Sequence, residues 1–197
     1  MENLYNLVKI MKEKNKDCFM NNIIERIKKA NKLEEKCILI RFYLSPQSTK
    51  IEKIIMSDLL LDKPIDEISG DCSKNGKNYE IKYSGHSKES KINIVQIRPD
   101  HNIDFYLIIY YDMFFDDNLG KGYIFKIPSE KINNMILKYG AYAHGTIKKL
   151  GKITKDNLKN RNCEYSLRCD PRNKSKKNKE LWDEFLQYQI RYLAEDI

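Results

Sequence analysis

A chain of 197 residues with 41% hydrophobic content suits one domain with a sizeable core, and a net charge of +8 favours a polyanionic partner while also fitting a merely lysine-rich protein. The longest apolar run, Phe105 to Phe115, contains Asp112 and is too short for a bilayer, and the opening MENLYNLVKIMKEKNK lacks the apolar core of a secretion signal. Five cysteines (Cys18, Cys37, Cys72, Cys163 and Cys169) without CxxC spacing argue against zinc and a disulfide framework and for a reducing cytoplasm, and nothing resembles a Walker loop or a Rossmann glycine fingerprint.

Residues 2 to about 45 read as helical. Leu4, Leu7, Val8 and Met11 form one stripe, Met20, Ile23, Ile24 and Ile27 a second, and Cys37 to Leu44 a third segment. These helices either cover the sheet of residues 46–197 or form a dimer surface; the whole is expected to be one compact domain. Ser48 to Leu60 is the next helix, with Ser48 as its N-cap, apolar residues at 51, 54, 55 and 59, and Glu52 beside that stripe.

Ile68 to Cys72 and Tyr79 to Tyr83 read as short strands joined through the turn residues Ser73 to Asn78, a predicted hairpin. Side chains alternate along a strand, so Glu80 and Lys82 share one face and Ile81 takes the other. The hairpin brings Asp71 beside Glu80, while Cys72 points to the opposite face as packing. Lys91 to Arg98 alternates apolar and polar residues, which sets Gln96 and Arg98 on one face. Asp104 to Tyr111 is an apolar strand that crosses the core.

Gly120 to Ile127 is a further strand, and Pro128 opens a helix to about Lys138. Tyr139 to Gly151 reads as a loop or short hairpin. Its His144, Thr146, Lys148 and Lys149 either contact nucleic acid or decorate a structural turn. Glu164 to Arg168 is a strand and Cys169 to Lys179 a loop. The densest basic cluster is there: Arg168, Arg172, Lys174, Lys176, Lys177 and Lys179, either a solvated run or a DNA contact. A last helix, Glu180 to about Ala194, carries Leu181, Trp182, Phe185, Leu186 and Ile190 on one face, with Trp182 as a buried anchor.

Asp71, Glu80 and Lys82 carry the chemistry. Two carboxylates offer hard oxygen ligands for Mg²⁺, with water and phosphate oxygens completing the shell. Such a metal activates water and neutralises charge at a phosphodiester, and a lysine ammonium orients that water. An acid-x-Lys triplet also arises by chance in a chain that is 32% charged. Glu34-Glu35-Lys36 is one, but it lies in a helical pattern with no partner acid on a hairpin.

The order helix with Glu52, Asp71, then Glu80-Ile81-Lys82 resembles the PD-(D/E)xK restriction endonuclease-like nucleases, and within them small type II restriction enzymes. The resemblance covers about Gln47 to Asp112. Gly70 stands where the motif's Pro would be, a position at which the family often lacks it. The resemblance implies an α/β restriction endonuclease-like core, a mixed central sheet flanked by helices. It implies Mg²⁺-dependent cleavage of double-stranded DNA at a short site, with Mn²⁺ able to substitute, and a homodimer whose twofold axis matches a palindrome. Asp71 and Glu80 would bind metal, Lys82 would assist the water, Glu52 would hold a second metal or its water, and Gln96 would stand at the active site. Arg98, His144, Thr146, Lys148, Lys149, Arg168, Arg172 and Lys174 are the expected DNA contacts. Two other readings stay open: a repair, junction-resolving or mobile-element nuclease of the same fold, and a non-enzymatic basic nucleic-acid-binding protein.

Overall fold

The computed structural model describes residues 33, 34, 36, 37, 40, 48–85, 91–112, 114, 115, 120–143, 151–160 and 163–197. The organising element is β4 (Phe105–Asp112), of whose eight residues seven are buried. A strand with apolar side chains on both faces belongs in the middle of a sheet. It pairs in parallel with β2 (Lys77–Ser84) and antiparallel with β5 (Lys121–Pro128). β1 (Cys72–Lys74) and β8 (Gln189–Ile190) complete the edges, giving the order β1-β2-β4-β5-β8. The parallel β2–β4 pair needs a crossover. The connection carries β3 (Ile92–Ile97), which leaves the main sheet and joins β7 (Tyr165–Cys169) and β6 (Ala141–Tyr142) in a second sheet ordered β3-β7-β6.

The two faces of the main sheet build two cores. Leu107, Ile109 and Tyr111 pack with Tyr79, Ile81 and the α1 (Ser48–Leu59) residues Ile51, Ile55 and Leu59, together with Cys37 and Ile40. Tyr106, Ile108 and Tyr110 pack with the second sheet and with α2 (Ser129–Tyr139) and α3 (Lys176–Leu186). Each fully buried side chain of this kind is worth about 1.5–3 kcal/mol. Trp182 is half-buried and sets its ring edge-on to Tyr110, Tyr123 and Phe125. The result is an α/β fold with a mixed central sheet flanked by helices. Among the described residues no helix is long and apolar enough to cross a membrane.

Local signals explain the element ends. α1 stops where Leu60 turns left-handed at φ 54, and the Leu61 N–H reaches back to the Met56 carbonyl at 2.9 Å, a Schellman closure. β1 and β2 are joined by Asn75 and Gly76 alone, both at positive φ (52 and 71), the hand that a two-residue hairpin turn requires. Ser175 caps α3 by accepting from the Asn178 N–H.

Three expectations are corrected. Ile68 to Cys72 is not a strand: Ile68 is exposed in a turn, and pairing starts only at Cys72. The six-residue turn shrinks to two residues because Ser73, Lys74, Lys77 and Asn78 all join the ladder. The last helix begins at Lys176 and ends at Leu186. Beyond it, Gln189 and Ile190 pair with the free edge of β5, so strand pairing ends the helical pattern that the apolar spacing continued. Most of the N-terminal helical region lies outside the described residues.

Candidate active site

The hairpin brings the first two acids close together. Cys72 pairs with Tyr79 as the last pair of the ladder, and Asp71 and Glu80 are the residues next to that pair. Asp71 stands just before β1, where the ladder has not begun. Its N–H donates to the Tyr79 carbonyl at 2.9 Å, and its Oδ2 accepts from the Ile81 N–H at 2.7 Å. The carboxylate thus replaces a missing strand at the edge of β2. Gly70 makes this approach possible: at φ 81, a Cβ would stand 2.5 Å from the Tyr79 carbonyl oxygen.

On β2, Tyr79 and Ile81 face the α1 core, while Glu80 and Lys82 face the other way. The Lys82 Nζ donates to Glu80 Oε1 at 2.6 Å, and each side chain is 17% exposed. Glu52 comes from the second turn of α1 and is half-buried. Burial is the main cause that pushes the Asp71 carboxyl up to about 6. The charge of Glu80 adds to it, the Ile81 N–H opposes it, Glu52 raises it further and Lys82 lowers it. Glu52 is also raised, first by burial; Lys82 offsets this and Glu80 reinforces it. Three carboxylates therefore sense one another around a single ammonium. Cys72 is fully buried on the opposite face, and burial pushes its thiol up to about 12, which fits packing and not nucleophilic chemistry.

These groups open into a cavity of about 370 Å³. Glu52, Asp71, Glu80 and Lys82 line one side, and Asn93, Val95, Gln96 and Arg98 of the β3 segment line the other. The strict alternation expected for β3 holds only to Ile94. A register shift between Ile94 and Ile97 leaves Val95 and Gln96 both exposed, with Gln96 left-handed at φ 55. Bulges re-aim side chains, and this one keeps Gln96 on the cavity. Arg98 lines it too, with Nε and Nη2 both donating to Glu164 Oε1 at 2.9 and 2.5 Å.

The other expected contacts are distributed differently. Arg168 lines a neighbouring cavity. Arg172 is engaged in structure: Nη1 donates to the buried Asp112 at 2.8 Å, and its guanidinium lies over the Phe114 ring at 5.6 Å. Lys174 is exposed and lines neither cavity. His144, Thr146, Lys148 and Lys149 lie outside the described residues. Asn93 was not singled out from the sequence, although Ile92-Asn93-Ile94 carries the alternation that turns Asn93 away from the core.

The donor set suits a hard divalent cation. Asp71 uses Oδ2 on the backbone and keeps Oδ1, and a cation would relieve the crowding that raises its pKa. Among the described residues no group of three or more His, Cys, Asp or Glu side chains forms a ready metal cage, so water and substrate oxygens would fill much of the shell. No family model, curated protein or solved structure matches this chain.

Proposed function

We propose that this protein is a Mg²⁺-dependent endodeoxyribonuclease of the type II restriction class, a homodimer that hydrolyses double-stranded DNA at a specific short sequence. The observation that carries the reading is the convergence of Glu52, Asp71, Glu80, Lys82, Gln96 and Arg98 on one cavity, from one helix, one hairpin and a separate sheet. Purely structural acids are normally matched by cations; here three acids share one lysine.

Asp71 Oδ1 and Glu80 would hold the metal. Bound Mg²⁺ supplies the lowered pKa of the attacking water and charge neutralisation at the scissile phosphate. Lys82 has three N–H donors, and one is spent on Glu80 Oε1. The remaining two orient the water and stabilise the extra negative charge of the pentavalent transition state. Glu52 accepts a hydrogen bond from water on the α1 side. Gln96, re-aimed by the bulge, offers both an amide donor and an acceptor to the water or to a phosphate oxygen.

The test is a digest of plasmid and phage DNA with Mg²⁺ and with EDTA. Discrete bands in Mg²⁺ alone are expected, and Lys82→Ala should abolish them. A smear would replace site-specific cutting with non-specific cleavage. No cutting by the wild-type protein in either Mg²⁺ or Mn²⁺ would overturn the enzymatic reading.

A further inference from the structure

Four arginines lie among the described residues, and three of them are neutralised. Arg98 is forked on Glu164, Arg172 is held by Asp112 and Asp170, and Arg191 by Asp196. Arg168 has no carboxylate partner among the described residues. Among the described residues its one hydrogen bond runs from Nε to Asn93 Oδ1 at 3.0 Å, across the β3–β7 pair in which these two residues are direct register partners. An amide oxygen at Nε fixes the plane of the guanidinium, and among the described residues nothing engages either Nη group. That is the geometry of a fork prepared for an oxyanion.

Its position gives the fork a use. Asn93 lines the acidic cavity and also a second cavity of about 440 Å³, in which Arg168 stands with Lys91, Asp170 and Asn173. Asn93 therefore stands between the two spaces and borders both. The one carboxylate of the second cavity, Asp170, is already balanced by Lys91 at 3.8 Å and by Arg172 at 3.7 Å. Among the described residues what is left unbalanced is the Arg168 charge.

We infer that Asn93 and Arg168 form a backbone clamp, in which Arg168 takes a phosphodiester of the strand that leaves the acidic cavity and Asn93 aims it. The inference rests on the proposed nuclease reading and adds the path of the substrate strand. Arg168 is a positioning residue here, since it acts on a phosphate away from the reacting atoms.

The experiment measures binding of a short fluorescent duplex of mixed sequence, in Ca²⁺ in place of Mg²⁺, as a function of salt. Arg168→Ala should weaken binding about tenfold and lower the slope of log affinity against log salt by about one. Asn93→Ala should weaken binding less and keep the wild-type slope, because the charge remains but loses its aim. Arg168→Lys should restore the slope but not the full affinity. Thermal melts should be unchanged for Arg168→Ala, whose side chain is exposed. Unchanged affinity and slope in Arg168→Ala would overturn the clamp. So would a loss confined to particular sequences with the slope intact, which marks a base contact. A parallel Mg²⁺ digest separates the two readings. If the wild type cuts while Arg168→Ala binds normally, only the clamp falls. If the wild type never cuts but Arg168→Ala loses affinity and slope, only the nuclease reading falls.

Discussion

Among the described residues, Asp112 and Asp71 are both withdrawn from solvent, and the fold treats these two carboxylates in opposite ways. At the far end of β4, Asp112 is 5% exposed and fully provided for: Arg172 donates at 2.8 Å and the Phe114 N–H at 3.0 Å. At the near end of the hairpin, Asp71 has one backbone N–H, lies close to Glu80 and feels Glu52, with Lys82 already committed to Glu80. The first is how a fold neutralises a charge it must bury. The second leaves negative charge uncompensated beside a cavity, which costs stability unless something positive arrives. A cation and a polyanionic substrate together fit that imbalance, and the Asp112 site needs neither.

The largest expected effect breaks the functional side of this contrast. Lys82→Ala should lower cleavage on the order of 10³-fold or more, since it removes the one ammonium that can serve both water and transition state. Asp71→Ala should do the same, and both variants should keep a cooperative melt. Retained cleavage in purified Asp71→Ala protein would sink the site assignment. The next effect breaks the structural side. Arg172→Ala removes the guanidinium that balances the buried Asp112 charge and should cost about 1–2 kcal/mol in urea denaturation, less than a fully buried pair because Arg172 is exposed. A loss under about 0.5 kcal/mol would mean that the Phe114 N–H and the Tyr110 hydroxyl suffice there.

Part of this contrast was legible in the sequence, and the reasons differ by residue. The β4 strand stands out because Phe105 to Tyr111 has no charged or amide side chain and is aromatic or aliphatic throughout, so a central position accepts it best. The nearness of Asp71 to Glu80 follows from the turn chemistry that folds the hairpin, even though the first strand begins only at Cys72. Ile68 misled because an apolar residue beside a turn looks like strand; Gly70, held at positive φ against Tyr79, keeps that segment out of the ladder. The bulge at Gln96 has no signal in Ile-Asn-Ile-Val-Gln-Ile. Nor does the state of each arginine, because the partner of Arg98 is Glu164 and that of Arg172 is Asp112, both more than fifty positions away. Basic clusters read from sequence therefore merge engaged cations with available ones.

The remaining effect is the one that probes the imbalance without any assay of cutting. The Asp71 carboxyl sits at about 6 in the folded protein, above its usual 3.8. Between those values the folded state holds more protons than the unfolded one, so stability from this group is greatest at low pH and is lost as pH rises through about 6. Asp71→Asn keeps an oxygen to accept from the Ile81 N–H but carries no charge. In metal-free buffer at pH 8 it should be more stable than the wild type by about 1–2 kcal/mol, less than the full linkage value because the carboxyl is partly solvated. The gap should close below about pH 4. Mg²⁺ at ten times its dissociation constant should stabilise the wild type by about 1.4 kcal/mol and leave Asp71→Asn nearly unmoved. Thermal melts across pH, with and without Mg²⁺, measure all of this. A variant no more stable than wild type at pH 8 would show that the acids are not crowded, and the contrast with Asp112 would lose its meaning.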